Sequence, residues 1–304
     1  MKDLITVITL TYNSKDLGPT IDSILKQDYP RIQYIISDDC STNLNLSYWK
    51  DYIEKKKSKN IEEILILTSN KNQGIIRNLN KATKRASGKY VYLCSHDDQL
   101  FDEKVLSDWT EEFICTGADV ICGKRAIYDE NMLKFQGYAP TPKEIGYFSD
   151  TSQELFENLA THTNFIFGAS TARTKESFEK YGYYDEKYKN IEDYPAMLKI
   201  SRQGGKIKYF DRVVLKYRRG GISTTISEKY LADEDCVFEN EILPYTIHPK
   251  DAVRNHEDFK LEARLNNKRI ELIQKYGENS CVLMVYKIYT WLKYPVHKLR
   301  EKIQ

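Results

Sequence analysis

The chain has 304 residues, a length that suits one large domain or one catalytic domain with a smaller appendage. Hydrophobic residues make up 41%, enough for a real core, and a formal net charge of +2 gives no electrostatic case for nucleic acid. Six cysteines, at 40, 94, 115, 122, 236 and 281, form no CxxC pair, which argues against a zinc site and reads as free thiols in a reducing cytoplasm.

The first 120 residues alternate between two hydrophobic periods. "LITVITL" (4–10) is a short β-rich run. It is too short for a signal peptide and leads straight into "TYNS". From Asp16 to Lys26, Leu17, Ile21, Ile24 and Leu25 share one helical face. "IQYIIS" (32–37) is the next strand, ended by "DDCST". Trp49, Tyr52 and Ile53 mark a helix that dissolves into "EKKKSKN". "EILILT" (63–68) is a third strand. Ile75, Ile76, Leu79, Ala82 and Ala86 form a helical stripe closed by Gly88, and "YVYLC" (90–94) is a fourth strand. Strands alternating with helices of this length predict βαβ units and a parallel sheet.

The middle of the chain is less regular. Residues 119–137 read as strand, turn and strand, and Pro140, Pro142 and Gly146 as a loop. "NFIFGASTA" (164–172) reads as a buried strand with a glycine break. The stretch from Phe178 to Phe210 reads as helix end, loop, helix, Gly-Gly stop and strand, and "RVVLKYRRGGIS" adds one more strand and a flexible loop. Beyond residue 226 the pattern turns helical and charged, with 260–276 a surface helix. No apolar run reaches the roughly 20 residues that span a bilayer.

In parallel sheets ligands bind beyond the carboxyl ends of the strands. The four early strands are followed by "TYN", "DDCS", "SNKNQG" and "SHDD", which the topology gathers on one edge. Asp97-Asp98 can hold a hard divalent cation shared with phosphates, or sit in a solvated turn. A carboxylate of Asp38-Asp39 can accept the N3–H of uracil, or close a turn. Asp193, in "NIEDYPAML", suits a helix start and, held there, a general base. The five histidines are scattered, and the chain lacks GxSxG, GxGxxG and GxxxxGK[ST]. Tyrosine is abundant at 23 residues, which suits sugar or base contacts as well as ordinary half-buried packing.

With these segments in this order, the sequence resembles a family 2 glycosyltransferase. "VITLTYN", "SDDCST", "NQGIIRNLNKATKRASGKYVYLCSHDD" and "GYYDEKYKNIEDYPAMLKISRQGGKI" carry the resemblance, which covers residues 4–223. It is strongest to the nonprocessive bacterial enzymes that build capsular or other surface polysaccharides.

The resemblance implies an α/β GT-A (Rossmann-like) fold, with a mainly parallel sheet flanked by helices and a helical C-terminal extension. It implies a catalytic domain at 1–225, with 1–100 the nucleotide-binding half and 101–225 the acceptor and catalytic half, and the extension at 226–304. The implied activity is inverting, metal-dependent hexosyl transfer from a nucleotide sugar, with UDP the expected carrier. The acceptor is a hydroxyl of a glycan or lipid-linked oligosaccharide.

By the same resemblance Leu10, Thr11 and Tyr12 cradle the base, Asp39 reads the uracil edge, and Arg77 and Asp97 lie near the nucleotide. Asp98 holds Mn²⁺ or Mg²⁺, Asp193 is the base, and Gly168 lies in the segment that shapes the donor-sugar pocket. Leu10 stands where the family often has Pro or Thr and can still offer its backbone; Ser95 stands where the family often has Asp, which leaves fewer charges for the metal. No QxxRW motif follows, and Arg218 or Arg219 of "YRRGGIS" could meet the diphosphate or belong to a basic surface loop.

Two other readings compete. A nucleotidyltransferase would also use acids and a metal, but normally shows a glycine-rich basic phosphate loop near its start. A nucleotide-sugar-binding protein on a decayed scaffold is countered by intact Asp39, Asp98 and Asp193. The segment 286–304 is basic and aromatic, which suits peripheral contact with the inner face of the cell membrane, or packing on the catalytic domain or a second copy in a homodimer.

Overall fold

Four short apolar runs assemble into the parallel half of one sheet. A computed structural model describes residues 2–220 and 226–300, with side chains as far as 290. The tail expectation for Trp291 to Gln304 therefore lies largely outside the described residues. Strands β1 (Ile5–Thr11), β2 (Ile32–Asp38), β3 (Ile61–Leu67) and β4 (Tyr90–Leu93) pair in parallel, in the order β3-β2-β1-β4. Every residue of β1 and β2 is buried, as expected for strands covered on both faces.

Alternation along β1 sorts its side chains. Ile5 and Val7 join Ile21 and Ile24 of α1 (Gly18–Leu25), while Ile8 and Leu10 join Leu79 and Ala82 of α3 (Ile75–Thr83). On the α1 side Tyr92 meets Trp109 of α4 (Val105–Thr116), with ring centroids 4.2 Å apart. Helix α2 (Leu46–Lys56) covers the same face through Ile53.

The second half of the sheet is mixed. β8 (Thr171–Thr174) runs antiparallel to β4 and to β6 (Val120–Tyr128). β6 pairs antiparallel with β7 (Phe135–Ala139) and parallel with β9 (Ile207–Arg218), which in turn carries β5 (Gln99–Leu100) at the edge. Helices α6 (Ser152–His162) and α8 (Asp193–Arg202) supply Phe156, Leu159, Met197 and Leu198 to this half's core. Helix α7 (Lys175–Tyr181) packs Phe178 on the α3 side. After the undescribed residues 221–225 come α9 (Glu228–Val237), a π-helical turn (Phe238–Ile242), α10 (Pro249–Tyr276) and α11 (Cys281–Arg300).

Several local expectations change. The loop at Pro140 to Gly146 contains a one-turn helix, α5 (Pro142–Ile145), closed by reciprocal Thr141–Glu144 bonds of 3.3 and 2.6 Å. "NFIFGASTA" forms a strand only from Thr171, and its glycine break is a 3₁₀ turn, Gly168–Ser170. The two late strands around Arg212 are one continuous β9. Helix α3 ends at Thr83, and Gly88 has another purpose: a β-carbon there would lie 2.4 Å from the Thr6 backbone nitrogen. No described helix is long and apolar enough to cross a membrane.

Candidate active site

The turns after β1, β2 and β4 are joined by backbone bonds. Asp39 N–H donates to Thr11 O at 3.0 Å and His96 N–H to Leu10 O at 3.3 Å. The Leu10 side chain belongs to the core, so this position offers its backbone, while the Tyr12 ring is 48% exposed. Thr11 is buried and its Oγ1 has no hydrogen-bond partner.

The first acidic pair divides its work. Asp38 accepts Ser41 N–H at 3.0 Å and the Ser41 hydroxyl at 2.5 Å, which closes its own turn. Asp39, buried, accepts the backbone N–H groups of Gln73 at 3.0 Å and Gly74 at 2.8 Å, at the start of α3. A carboxylate has about four lone-pair sites, so these amides orient Asp39 and leave capacity for a further donor.

The second pair sits after β4. Thr20 Oγ1 donates to Asp98 O at 2.7 Å and His96 O at 3.0 Å, which pins the turn to α1. Asp98 is 1% exposed and its Oδ1 accepts the Arg218 backbone N–H at 3.1 Å. Burial and the neighbouring Asp97 push its carboxyl well above the usual carboxylate range, against the pull of the Arg218 amide and the Arg125 and Arg218 guanidiniums. Asp97 faces the Arg218 guanidinium at 3.7 Å.

Asp193 opens α8. Its Oδ1 accepts Tyr194 N–H at 2.7 Å and the Asn164 side-chain amide at 3.2 Å, and its Oδ2 accepts Gly168 N–H at 2.8 Å. Burial raises its pKa while these donors and Arg125 hold it down. Glu192 beside it is pushed up by burial and by Asp193, while the three donors at Asp193 favour its charged form. The turn at Gly168 needs glycine: a β-carbon there would lie 3.2 Å from Asp193 Cβ and 3.3 Å from its Oδ2.

Arg125 of β6 joins the two acid sites, and sequence reasoning missed it. Its guanidinium lies 3.9 Å from the centroid of Phe167 and 4.4 Å from that of Tyr217, and its buried Nε has no hydrogen-bond partner. Phe167 precedes the glycine that bonds Asp193, and Tyr217 precedes the arginine that bonds Asp98. One cation therefore lowers the pKa of both Asp98 and Asp193. The signal available was an arginine in an otherwise buried strand segment, "VICGKRA". Asn164, Phe167 and Glu192 were missed as well.

Arg77 lies farther out, half-exposed and paired with Glu186 Oε2 at 3.0 Å. On the same helix Asn80 exchanges bonds of 2.8 and 3.1 Å with the Tyr184 backbone, so α3 is tied to the segment that leads into Asp193. Arg219 donates to Gln136 Oε1 at 3.0 Å. A cleft of about 750 Å³ lined by Glu154, His162, His248 and Arg254 holds none of the strand-end acids.

Among the described residues no group of three or more His, Cys, Asp or Glu gathers as a metal cluster. Asp97 and Asp98 form a two-carboxylate oxygen set. Such a set fits a hard cation whose remaining ligands come from a bound diphosphate or water. Two adjacent acids, one of them buried, are also a place where a cation relieves like-charge repulsion.

Comparison with known proteins bears on the family and the fold. The chain is 35% identical over 105 residues to the putative teichuronic acid biosynthesis glycosyltransferase TuaG of Bacillus subtilis (strain 168), a match covering 34% of the chain and 40% of that relative's length. It is 29% identical over 217 residues to the UDP-Glc:alpha-D-GlcNAc-diphosphoundecaprenol beta-1,3-glucosyltransferase WfaP of Escherichia coli, covering 71% of the chain and 77% of the relative. Its fold is similar to that of S. aureus TarS 1–349 in complex with UDP, with a TM-score of 0.61 at 19% identity over 89% of this chain and 74% of that one. The α/β fold expected from the sequence is thus the one present, C-terminal helices included. The family model for glycosyl transferase family 2 matches residues 6–182, and the chain belongs to that family as a glycosyltransferase.

Proposed function

We propose that this enzyme transfers a sugar from a UDP-sugar to an acceptor hydroxyl with inversion, in the synthesis of a bacterial surface glycan. The observation that supports the reading is that the Arg125 guanidinium lies on the rings of Phe167 and Tyr217, whose next residues, Gly168 and Arg218, bond Asp193 and Asp98 through their backbone N–H groups. The names of TuaG and WfaP, and the UDP bound to TarS, support the donor and acceptor classes.

In this reading Tyr12 stacks on the base, Asp39 accepts the uracil N3–H, and Leu10 and Thr11 line the cradle. Asp97 lies toward the ribose. Asp98, with Asp97 beside it, would hold Mn²⁺ or Mg²⁺, which when bound neutralises charge on the departing diphosphate. Arg218 stands next to both acids, and Arg77 at the outer edge of the nucleotide site. Asp193, fixed by its three donors, removes the proton from the attacking hydroxyl, a contribution typically worth about 10²–10⁴-fold. A single base facing the carbon that loses the diphosphate fits one displacement. Residues 1–225 form the catalytic unit and 226–304 an extension. A cytoplasmic reaction suits a nucleotide-sugar donor.

The test is a panel of UDP- and GDP-sugars assayed with and without Mn²⁺ and Mg²⁺, with the product anomer read by NMR. Metal-dependent turnover of a UDP-sugar to the inverted product is expected. Metal-independent turnover or retained configuration would overturn the reading.

A further inference from the structure

We infer that the outward face of α11 docks the enzyme on an anionic membrane surface. Helix α11 packs on α10 through one side only. Leu283 is 1% exposed, and Tyr286 Oη donates to Leu265 O at 2.7 Å. The other side turns apolar groups to water: Val282 is 44%, Met284 63%, Val285 64% and Ile288 48% exposed, and Cys281 is exposed too. Helical geometry places 281, 285 and 288 in one row, flanked by 282 and 284, and opposite Leu283 and Tyr286. Beyond the described side chains the sequence keeps the same spacing with Leu292, Val296 and Leu299.

Charge decides the occupant. The twenty residues of α11 include Lys287, Lys293, Lys298 and Arg300 and no Asp or Glu. Two copies meeting helix to helix would bring two net-positive segments together. An anionic bilayer accepts both an apolar row and a helix whose sequence is net positive, the two signals that together give stable peripheral binding. The helix is not apolar enough to cross. It therefore lies in the interface plane. This inference does not depend on which donor or mechanism the catalytic unit uses.

The test is flotation of the full chain with vesicles of phosphatidylcholine alone and of phosphatidylcholine mixed with phosphatidylglycerol. The wild type is expected to float only with the anionic vesicles and to be released by high salt. Val285→Glu combined with Ile288→Glu should weaken binding about tenfold or more, with an unchanged thermal melt. A milder pair, Val285→Ser with Ile288→Ser, should move binding in the same direction should the first pair misfold. Three results would overturn the inference: no flotation of the wild type, equal flotation of the folded variants, or a lipid-free dimer by light scattering that the same substitutions convert to monomer.

Discussion

Gly168 donates its backbone N–H to Asp193 Oδ2 at 2.8 Å, and the two residues are so close that a methyl on Gly168 would sit 3.2 Å from Asp193 Cβ. The turn both bonds the carboxylate and crowds it. Gly168→Ala should displace the acid while leaving the nucleotide side of the site untouched. A misplacement approaching 1 Å can cost about 10²-fold in rate, so kcat should drop about 10–100-fold. UDP affinity by calorimetry should hold. A variant with wild-type kcat would show that the carboxylate's position is not critical.

Burial raises the pKa of Asp193, and a base works only when deprotonated. Activity should therefore fall as pH drops through that raised pKa, with the acid limb of kcat above the ordinary aspartate value of 3.8. Asn164 donates to the charged form and lowers the pKa. Asn164→Ala should move the acid limb to higher pH, as a kcat–pH profile would reveal.

Arg125 faces both acid sites, so its loss should raise the pKa of Asp98 and of Asp193 together. Arg125→Met should lower kcat/KM by about 10²-fold, within the range for losing a preorganised charge. Arg125→Lys should recover only part of this, because an ammonium restores the charge but not the flat guanidinium held between Phe167 and Tyr217. Steady-state kinetics of the two variants make the comparison.

Glu234 of α9 is buried near Asp193, Asp233 and Asp235, and its pKa is pushed up to about 8 from 4.5, mostly by burial. The folded state then holds a proton that the unfolded chain releases above 4.5. Its contribution is thus fully present below that value, and stability falls as pH rises toward 8. Glu234→Gln, neutral at every pH, should melt a few degrees above the wild type at pH about 8 and close to it at pH about 5. Thermal melts at both pH values test this.

The parallel half of the fold was legible because its signals are local. Ile and Val runs buried on both faces, separated by amphipathic helices, place Asp39 and Asp98 at strand ends without any long-range information. Helix α6 escaped notice in the less regular middle, although Phe156 and Leu159 bury there. Arg125 was hidden for a different reason. A lone arginine in a strand reads as solvent-facing until tertiary structure brings Phe167 and Tyr217 from elsewhere in the chain to enclose it. Asp39 was legible as a strand-end acid, but its bonds to Gln73 and Gly74 depend on how the β3–α3 loop returns.

The central claim is that Asp193 is the base of a site whose nucleotide grip lies elsewhere, at Asp39 and Asp98. Asp193→Asn keeps the size of the side chain, removes its charge and replaces one accepting oxygen with an NH2 group. The decisive measurement pairs single-turnover sugar transfer with calorimetric UDP binding in that variant. The account predicts transfer reduced about 10²-fold or more with UDP affinity unchanged. Transfer near the wild-type rate, or loss of UDP binding with turnover intact, would contradict it.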